Sequence, residues 1–146
     1  MEYKTGFASL NDVDQLMKIE ASGISHPWTR DSIEALINDE NKIALVSYIA
    51  DGSAIGYIGA SYVLDEAEIG NVCVLPEHRG KGVGKELLNA LIDELKSRGV
   101  TVVFLEVESD NSNAVALYEK AGFTKYNSRK DYYGAGRDAM LYRRSL

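Results

Sequence analysis

Apolar and polar positions follow one another along this chain with two distinct periods. Val83, Leu87, Leu88, Leu91, Ile92 and Leu95 recur in steps of three and four, the spacing of one helical face. Val13, Leu16, Met17 and Ile19 repeat that rhythm near the start, where Ser9 or Asn11 can cap a helix. Residues 22–27 break it, and Thr29 or Asp31 then caps a second helix through about Asn38, with Ile33, Leu36 and Ile37 inward. Strand signals lie between and around these. Residues 3–9 form a short first strand, and 43–50 a second; Asp51-Gly52 marks a hairpin to a third over 54–63, and 66–74 makes a fourth. After the long helix, Gly99 supplies a C-terminal cap and 101–107 reads as a buried strand. Asn111 or Asn113 starts a last helix closed by Gly122, and 123–129 with 137–143 form a closing strand pair. The pattern predicts an α/β fold: a mixed, mostly antiparallel sheet flanked by helices, in one domain over residues 1–146.

The junction between the fourth strand and the long helix carries the chemistry. It reads Asn71-Val72-Cys73-Val74-Leu75-Pro76-Glu77-His78-Arg79-Gly80-Lys81-Gly82-Val83-Gly84-Lys85. A loop of this kind leaves backbone N–H groups without intrahelical partners at the positive end of a helix, where they can hold phosphate oxygens. Gly82 and Gly84 let a ligand approach the main chain, and Arg79, Lys81 and Lys85 add positive charge. The spacing excludes two common phosphate loops. Counting from Gly80 or Gly82, the second glycine of a Walker A loop falls on Lys85 or Leu87, and the third glycine of a dinucleotide fingerprint falls on the same two residues.

Composition narrows the field. Of 146 residues, 45% are apolar and 26% charged, as in ordinary globular proteins, and no apolar run approaches the ~20 residues of a membrane helix. The N-terminus lacks an apolar signal core, so the expected location is the cytoplasm, away from membranes. A net charge of −6 argues against a direct nucleic-acid partner and suits a cationic one, such as an amine or a basic peptide. Cys73 is the single cysteine, which excludes an intrachain disulfide, and its place in an apolar strand reads as core. His26 and His78 lie far apart without cysteine neighbours, so no metal is expected.

Arg79-Gly80-Lys81-Gly82-Val83-Gly84 fits [Arg/Gln]-x-x-Gly-x-[Gly/Ala] between a strand and a helix, and it resembles the acetyl-CoA loop of GNAT-superfamily N-acetyltransferases. The predicted element order is also that superfamily's. A second run, from Leu105-Glu106-Val107 through Asn111, Ala114, Leu117-Tyr118 and Gly122-Phe123, resembles the corresponding run of bacterial ribosomal-protein-alanine N-acetyltransferases of the RimI type. His26-Pro27-Trp28-Thr29 and Arg129-Lys130-Asp131-Tyr132-Tyr133 resemble further segments of that family.

The resemblance implies transfer of acetyl from acetyl-CoA to a protein N-terminus, the acceptor being an N-terminal alanine of a small-subunit ribosomal protein. The reaction needs a base to take a proton from an ammonium and an acid to supply one to a departing thiolate. Glu106, a carboxylate in an apolar strand, matches the family's base, and Tyr118 its acid; Glu68 on the fourth strand is the rival base. Residues implied to contact the cofactor are Val72, Cys73 and Val74 through their backbones, the loop residues Arg79, Gly80, Lys81, Gly82, Val83, Gly84 and Lys85, and Asn111, which could equally cap a helix. His26, Trp28, Tyr132 and Tyr133 would line the acceptor groove, although Trp28 could instead staple the second helix and the tyrosines cover the sheet edge. Glu108, Asp110 and Asp131 depart from the family's usual arginine, serine and asparagine and make the site more acidic. Lysine or small-amine acetylation, and a non-catalytic acetyl-CoA-binding domain, stay open as alternatives.

Overall fold

A computed structural model describes residues 2–23 and 28–146. In chain order the elements are β1 (Lys4–Phe7), α1 (Val13–Gly23), α2 (Arg30–Asn38), β2 (Lys42–Tyr48), β3 (Ala54–Val63), β4 (Glu66–Val74), α3 (Val83–Ser97), β5 (Val102–Glu108), α4 (Ser112–Lys120), β6 (Thr124–Arg129) and β7 (Ala139–Ser145). This is the order that the hydrophobic pattern predicts, with two short 3-10 turns added at Leu10–Asp12 and Pro76–His78. Thr29 caps α2 by accepting a hydrogen bond from the Ser32 N–H, so Asp31 falls inside the helix instead. β1 is shorter than expected. Its pairing stops at Phe7↔Leu45, and by Ser9 the chain has turned so that Asp12 accepts the Ser9 N–H at 2.8 Å.

Seven strands form one sheet in the order β1-β2-β3-β4-β5-β7-β6. Short connections make β2–β4 an antiparallel meander, β1 joins the free edge of β2 antiparallel with α1 and α2 lying between them in the chain, and the β4–β5 connection runs through α3 and returns parallel. All six predicted inward positions of α3, Val83, Leu87, Leu88, Leu91, Ile92 and Leu95, are buried against Ile43, Leu45, Ile58, Ile69, Val103, Leu105 and Val107. The other sheet face is covered over β2–β4 by α1 and α2, through Leu16, Ile19, Ile33 and Leu36 packed on Ala44, Val46, Tyr57 and Cys73.

Two irregularities in β4 shape the centre of the sheet. Gly59 pairs with Asn71 but Ala60 with Ile69, so Gly70 is an extra residue, a β-bulge. The bulge turns Gly70 and Asn71 to the same face: the position of a Gly70 Cβ meets the Trp28 ring at 3.1 Å, and the Asn71 amide meets Glu20 of α1. Just beyond, β4 and β5 separate. Their pairing covers only Glu66↔Val102 to Ile69↔Leu105, after which β4 stays with β3 and β5 with β7. A wedge thus opens between the ends of two neighbouring strands.

Candidate active site

The wedge and the α3 N-terminus adjoin. Gly82 caps α3 with φ 84°, left-handed backbone that glycine adopts without strain, and no side chain caps the helix. The first-turn N–H groups of Val83, Gly84 and Lys85 therefore point outward without intrahelical acceptors, beside exposed Lys81 and Lys85. Gly80 also has positive φ, 74°, and an added Cβ at either Gly80 or Gly82 would meet nothing within 4 Å. The donor set fits a pyrophosphate: several main-chain N–H groups, a helix dipole and flexible cations, with open space in front of the glycines.

Along the wedge, the Leu75 N–H bonds to the Ile55 carbonyl at 2.8 Å. Alternation along an antiparallel pair then turns the backbone groups of Cys73 and Asn71 toward β3, and those of Val72 and Val74 toward the open side. Cys73 thus directs its backbone groups to β3, while Val72 and Val74 leave theirs on the open side. Arg79 sits on the open side as well, donating its Nε–H to the Val74 carbonyl at 2.8 Å. The Cys73 side chain is 7% exposed and its thiol rests on the Ile19 carbonyl; burial pushes its pKa up to about 11, which keeps it a protonated core group.

Glu106 and Tyr118 lie on opposite faces of the sheet. On β5, Val103, Leu105 and Val107 point to α3 and α4, where Tyr118 is buried with its ring edge-on to Phe123 at 5.8 Å. Burial raises the Tyr118 phenol to about 12. Phe104 and Glu106 point the other way, into a cavity of about 360 Å³ shared with Glu68, Leu105, Tyr126, Arg129, Tyr132 and Leu141. Glu106 is only partly enclosed, with 27% of its side chain exposed. Its carboxylate accepts the Tyr133 hydroxyl at 3.0 Å and lies 3.9 Å from Arg129, whose guanidinium stacks over Tyr132 at 5.4 Å to the ring centroid. Desolvation, and then the carboxylate beside it, hold the Tyr133 phenol well above its ordinary pKa. Glu68 faces the same cavity from β4, so the structure brings both rival carboxylates to one space.

The pattern shared by the acetyltransferase (GNAT) family matches residues 11–123. The chain belongs to that family. It is accordingly an acetyl-CoA-dependent N-acetyltransferase. The [ribosomal protein bS18]-alanine N-acetyltransferase of Haemophilus influenzae is 40% identical over 123 residues, covering 84% of this chain and 82% of the relative. That of Salmonella typhimurium is 34% identical over 125 residues, covering 86% and 83%. Among solved structures, the ribosomal-protein-S18-alanine N-acetyltransferase of Escherichia coli superposes with a TM-score of 0.90 at 29% identity, covering 99% of this chain and 94% of that one.

Within this GNAT framework several sequence expectations acquire definite places. Asn111 caps α4, accepting the Ala114 N–H at 3.2 Å, which settles the cap in its favour over Asn113. Glu108 forms an ion pair with Arg137, and Asp131 accepts the Gly136 N–H at 2.7 Å in a turn. Their negative charges are partly met locally, so the site is less acidic than the substitutions alone suggest. Tyr132 and Tyr133 stack edge to face at 5.2 Å beside Glu106, whereas His26 lies outside the described residues. Sequence reasoning missed Arg129 as a site residue and missed the buried Glu20, since both acquire their partners from distant parts of the chain. Among the described residues no cluster of His, Cys, Asp and Glu could hold a metal, and no helix is long and apolar enough to cross a membrane.

Proposed function

We propose that the protein acetylates the N-terminal α-amine of a protein, specifically the N-terminal alanine of a small-subunit ribosomal protein of the bS18 type. The observation that carries this reading is the agreement with relatives bearing that activity in their names over more than four-fifths of both chains. The loop residues Arg79 to Lys85 hold the pyrophosphate of acetyl-CoA, and the outward backbone groups of Val72 and Val74 flank its pantetheine arm. Asn111, besides capping α4, contacts the CoA moiety. Trp28, Tyr132 and Tyr133 frame the acceptor groove.

Glu106 takes the proton of the acceptor ammonium, directly or through a water, and passes it to solvent. An α-amine of pKa about 8 is roughly 10% neutral at pH 7, against about 0.04% for a lysine, so a partly exposed carboxylate is an adequate base for the first and a poor one for the second. The amine nitrogen then bonds to the acetyl carbon as the carbon–sulfur bond breaks, and the proton that the nitrogen sheds in becoming an amide ends on the sulfur, so that Tyr118 keeps its own. Tyr118 donates a hydrogen bond from its O–H to the departing sulfur. Complete transfer from a phenol at about 12 to a thiolate of ordinary basicity runs uphill by about 5 kcal/mol, so Tyr118 acts chiefly by hydrogen bonding as the charge develops. The balance is one acetyl amide, one thiol and one proton released.

Mass-spectrometric mapping of acetyl incorporation into a peptide with a free N-terminal alanine and internal lysines tests the reading. Acetyl on the N-terminus alone is the expected result. Acetyl on lysine side chains would transfer the protein to the lysine or small-amine class, and binding of acetyl-CoA without turnover of any amine would make it a sensor.

A further inference from the structure

Glu20 is a carboxylic acid with 0% exposure, on the inner side of α1, that the reaction above does not use. A fully buried carboxyl is expensive unless hydrogen bonds meet it. Both of Glu20's oxygens have a partner, and the partners belong to two different parts of the site. Oε2 accepts the main-chain N–H of Trp28 at 3.3 Å, and Oε1 accepts the side-chain amide of Asn71 at 3.1 Å. Asn71 adjoins the bulge residue Gly70, and the Trp28 ring lies on Gly70 so closely that a Cβ there would stand 3.1 Å from it. Three contacts therefore close a loop: Glu20 to the Trp28 backbone, the Trp28 ring to Gly70, and the neighbouring Asn71 back to Glu20.

We propose that Glu20 is a positioning residue for the acceptor, its buried carboxyl clamping the Trp28 main chain to the β4 bulge so that the indole is fixed at the acceptor side of the wedge. This rests on the reading of Trp28 as part of the acceptor groove. The cost of burial supports a specific role: desolvation raises the pKa of Glu20, so the fold keeps a group that opposes its own ionisation. A residue needed only to fill space at that point would be apolar. The bulge is what makes the clamp possible, since regular alternation would send Asn71 to the opposite face from Gly70's neighbour Trp28. The clamp touches the acceptor side and leaves the α3 N-terminus, where the pyrophosphate reading lies, untouched.

Trp28 is the only tryptophan in the chain, so its fluorescence reports the clamp without interference. Glu20→Leu, Glu20→Gln and Asn71→Ala are compared for acrylamide quenching, and these three together with Trp28→Ala for KM toward the amine acceptor identified by acetyl mapping and for acetyl-CoA Kd. In Glu20→Leu the quenching constant rises about twofold and acceptor KM about tenfold, as expected for losing hydrogen bonds to a charged acceptor, while acetyl-CoA Kd stays within about twofold. Glu20→Gln keeps one oxygen acceptor but turns its NH2 toward the other donor, so its acceptor KM falls between those of the parent and Glu20→Leu. If Glu20→Leu fails to fold, Asn71→Ala removes one arm of the clamp and gives the same split at smaller amplitude. Acceptor KM unchanged in the Leu or Asn71→Ala variant, or a loss shared equally by acceptor and acetyl-CoA, overturns the proposal. Trp28→Ala separates the two ideas: if it leaves acceptor KM unchanged, the groove reading has failed; if it raises KM while Glu20→Leu does not, only the clamp has failed.

Discussion

Replacing Glu106 by Gln removes the proposed base while leaving its surroundings nearly intact. The amide keeps an oxygen for the Tyr133 hydroxyl, which now donates at 3.0 Å to the carboxylate. What is lost structurally is the pairing with Arg129 at 3.9 Å, between groups 57% and 27% exposed, and such a pair contributes at most about 1 kcal/mol. Thermal unfolding should therefore shift little. Chemistry should suffer far more, because a positioned general base contributes about 10²–10⁴ in rate, so kcat/KM at pH 7 is expected to fall by that factor. The deficit should narrow with pH. The neutral fraction of an α-amine rises from roughly 10% at pH 7 to about 90% at pH 9, so the variant gains about ninefold from a substrate that deprotonates itself. The assay is initial-rate thiol release with an N-terminal-alanine peptide from pH 6.5 to 9. Activity within threefold of wild type at pH 7, or a deficit that stays constant to pH 9, would refute the assignment. Glu68→Gln is the paired control, since both carboxylates face one cavity; a larger loss there would move the base to β4.

Three further outcomes follow from burial. Leu91→Ala, at a side chain with 0% exposure in the α3 seam, should lower unfolding free energy by about 3 kcal/mol in urea titration, and a loss below about 1 kcal/mol would contradict the packing. The Cys73 thiol, held near 11, should react with a disulfide reagent at pH 7.5 at least about a hundredfold more slowly in native protein than in urea; equal rates would show that it is accessible. Glu20 is held above its unfolded value of about 4.3 by desolvation, so its contribution to stability is full below that value and declines as pH rises through the folded one. Unfolding free energy of Glu20→Gln relative to wild type should therefore increase between pH 4 and pH 8, and a flat or falling difference would refute the sign.

The elements were legible wherever a face is buried. The α3 stripe announces itself because six large apolar residues need one wall, and the bounds of β3 and β4 follow from Asp51-Gly52 and Pro76. The bulge left a trace that was not read: Ala67 and Ile69, at odd positions, and Val72 and Val74, at even ones, pack on the same core, and that change of parity requires one extra residue between them. Tyr133 and Arg129 could not be placed beside Glu106 from sequence, because the contact to Tyr133 spans 27 residues and depends on the path of the turn before β7. Glu20 looks like any polar residue in an amphipathic helix. Only the register of β4 puts an amide opposite it.

The separation of β4 from β5 has a mechanical meaning. The sheet is two leaves, β1–β4 and β5–β7, stitched by a seam four residue pairs long and backed by α3. Such a seam resists shear but leaves the free ends of the leaves able to swing apart, like covers joined near the top of a spine. On the proposed reading, an amide-bearing arm lying in the opening would supply the missing rungs, and cofactor binding would lengthen the seam from within. Occupancy at a hundred times Kd would add about 2.7 kcal/mol to stability, and that gain would fall on the coupling between the leaves. The thioester donor would then serve as a structural spline as well as a reagent, and the two halves of the proposed acceptor site, carried on different leaves, would come into rigid register only once it is in place.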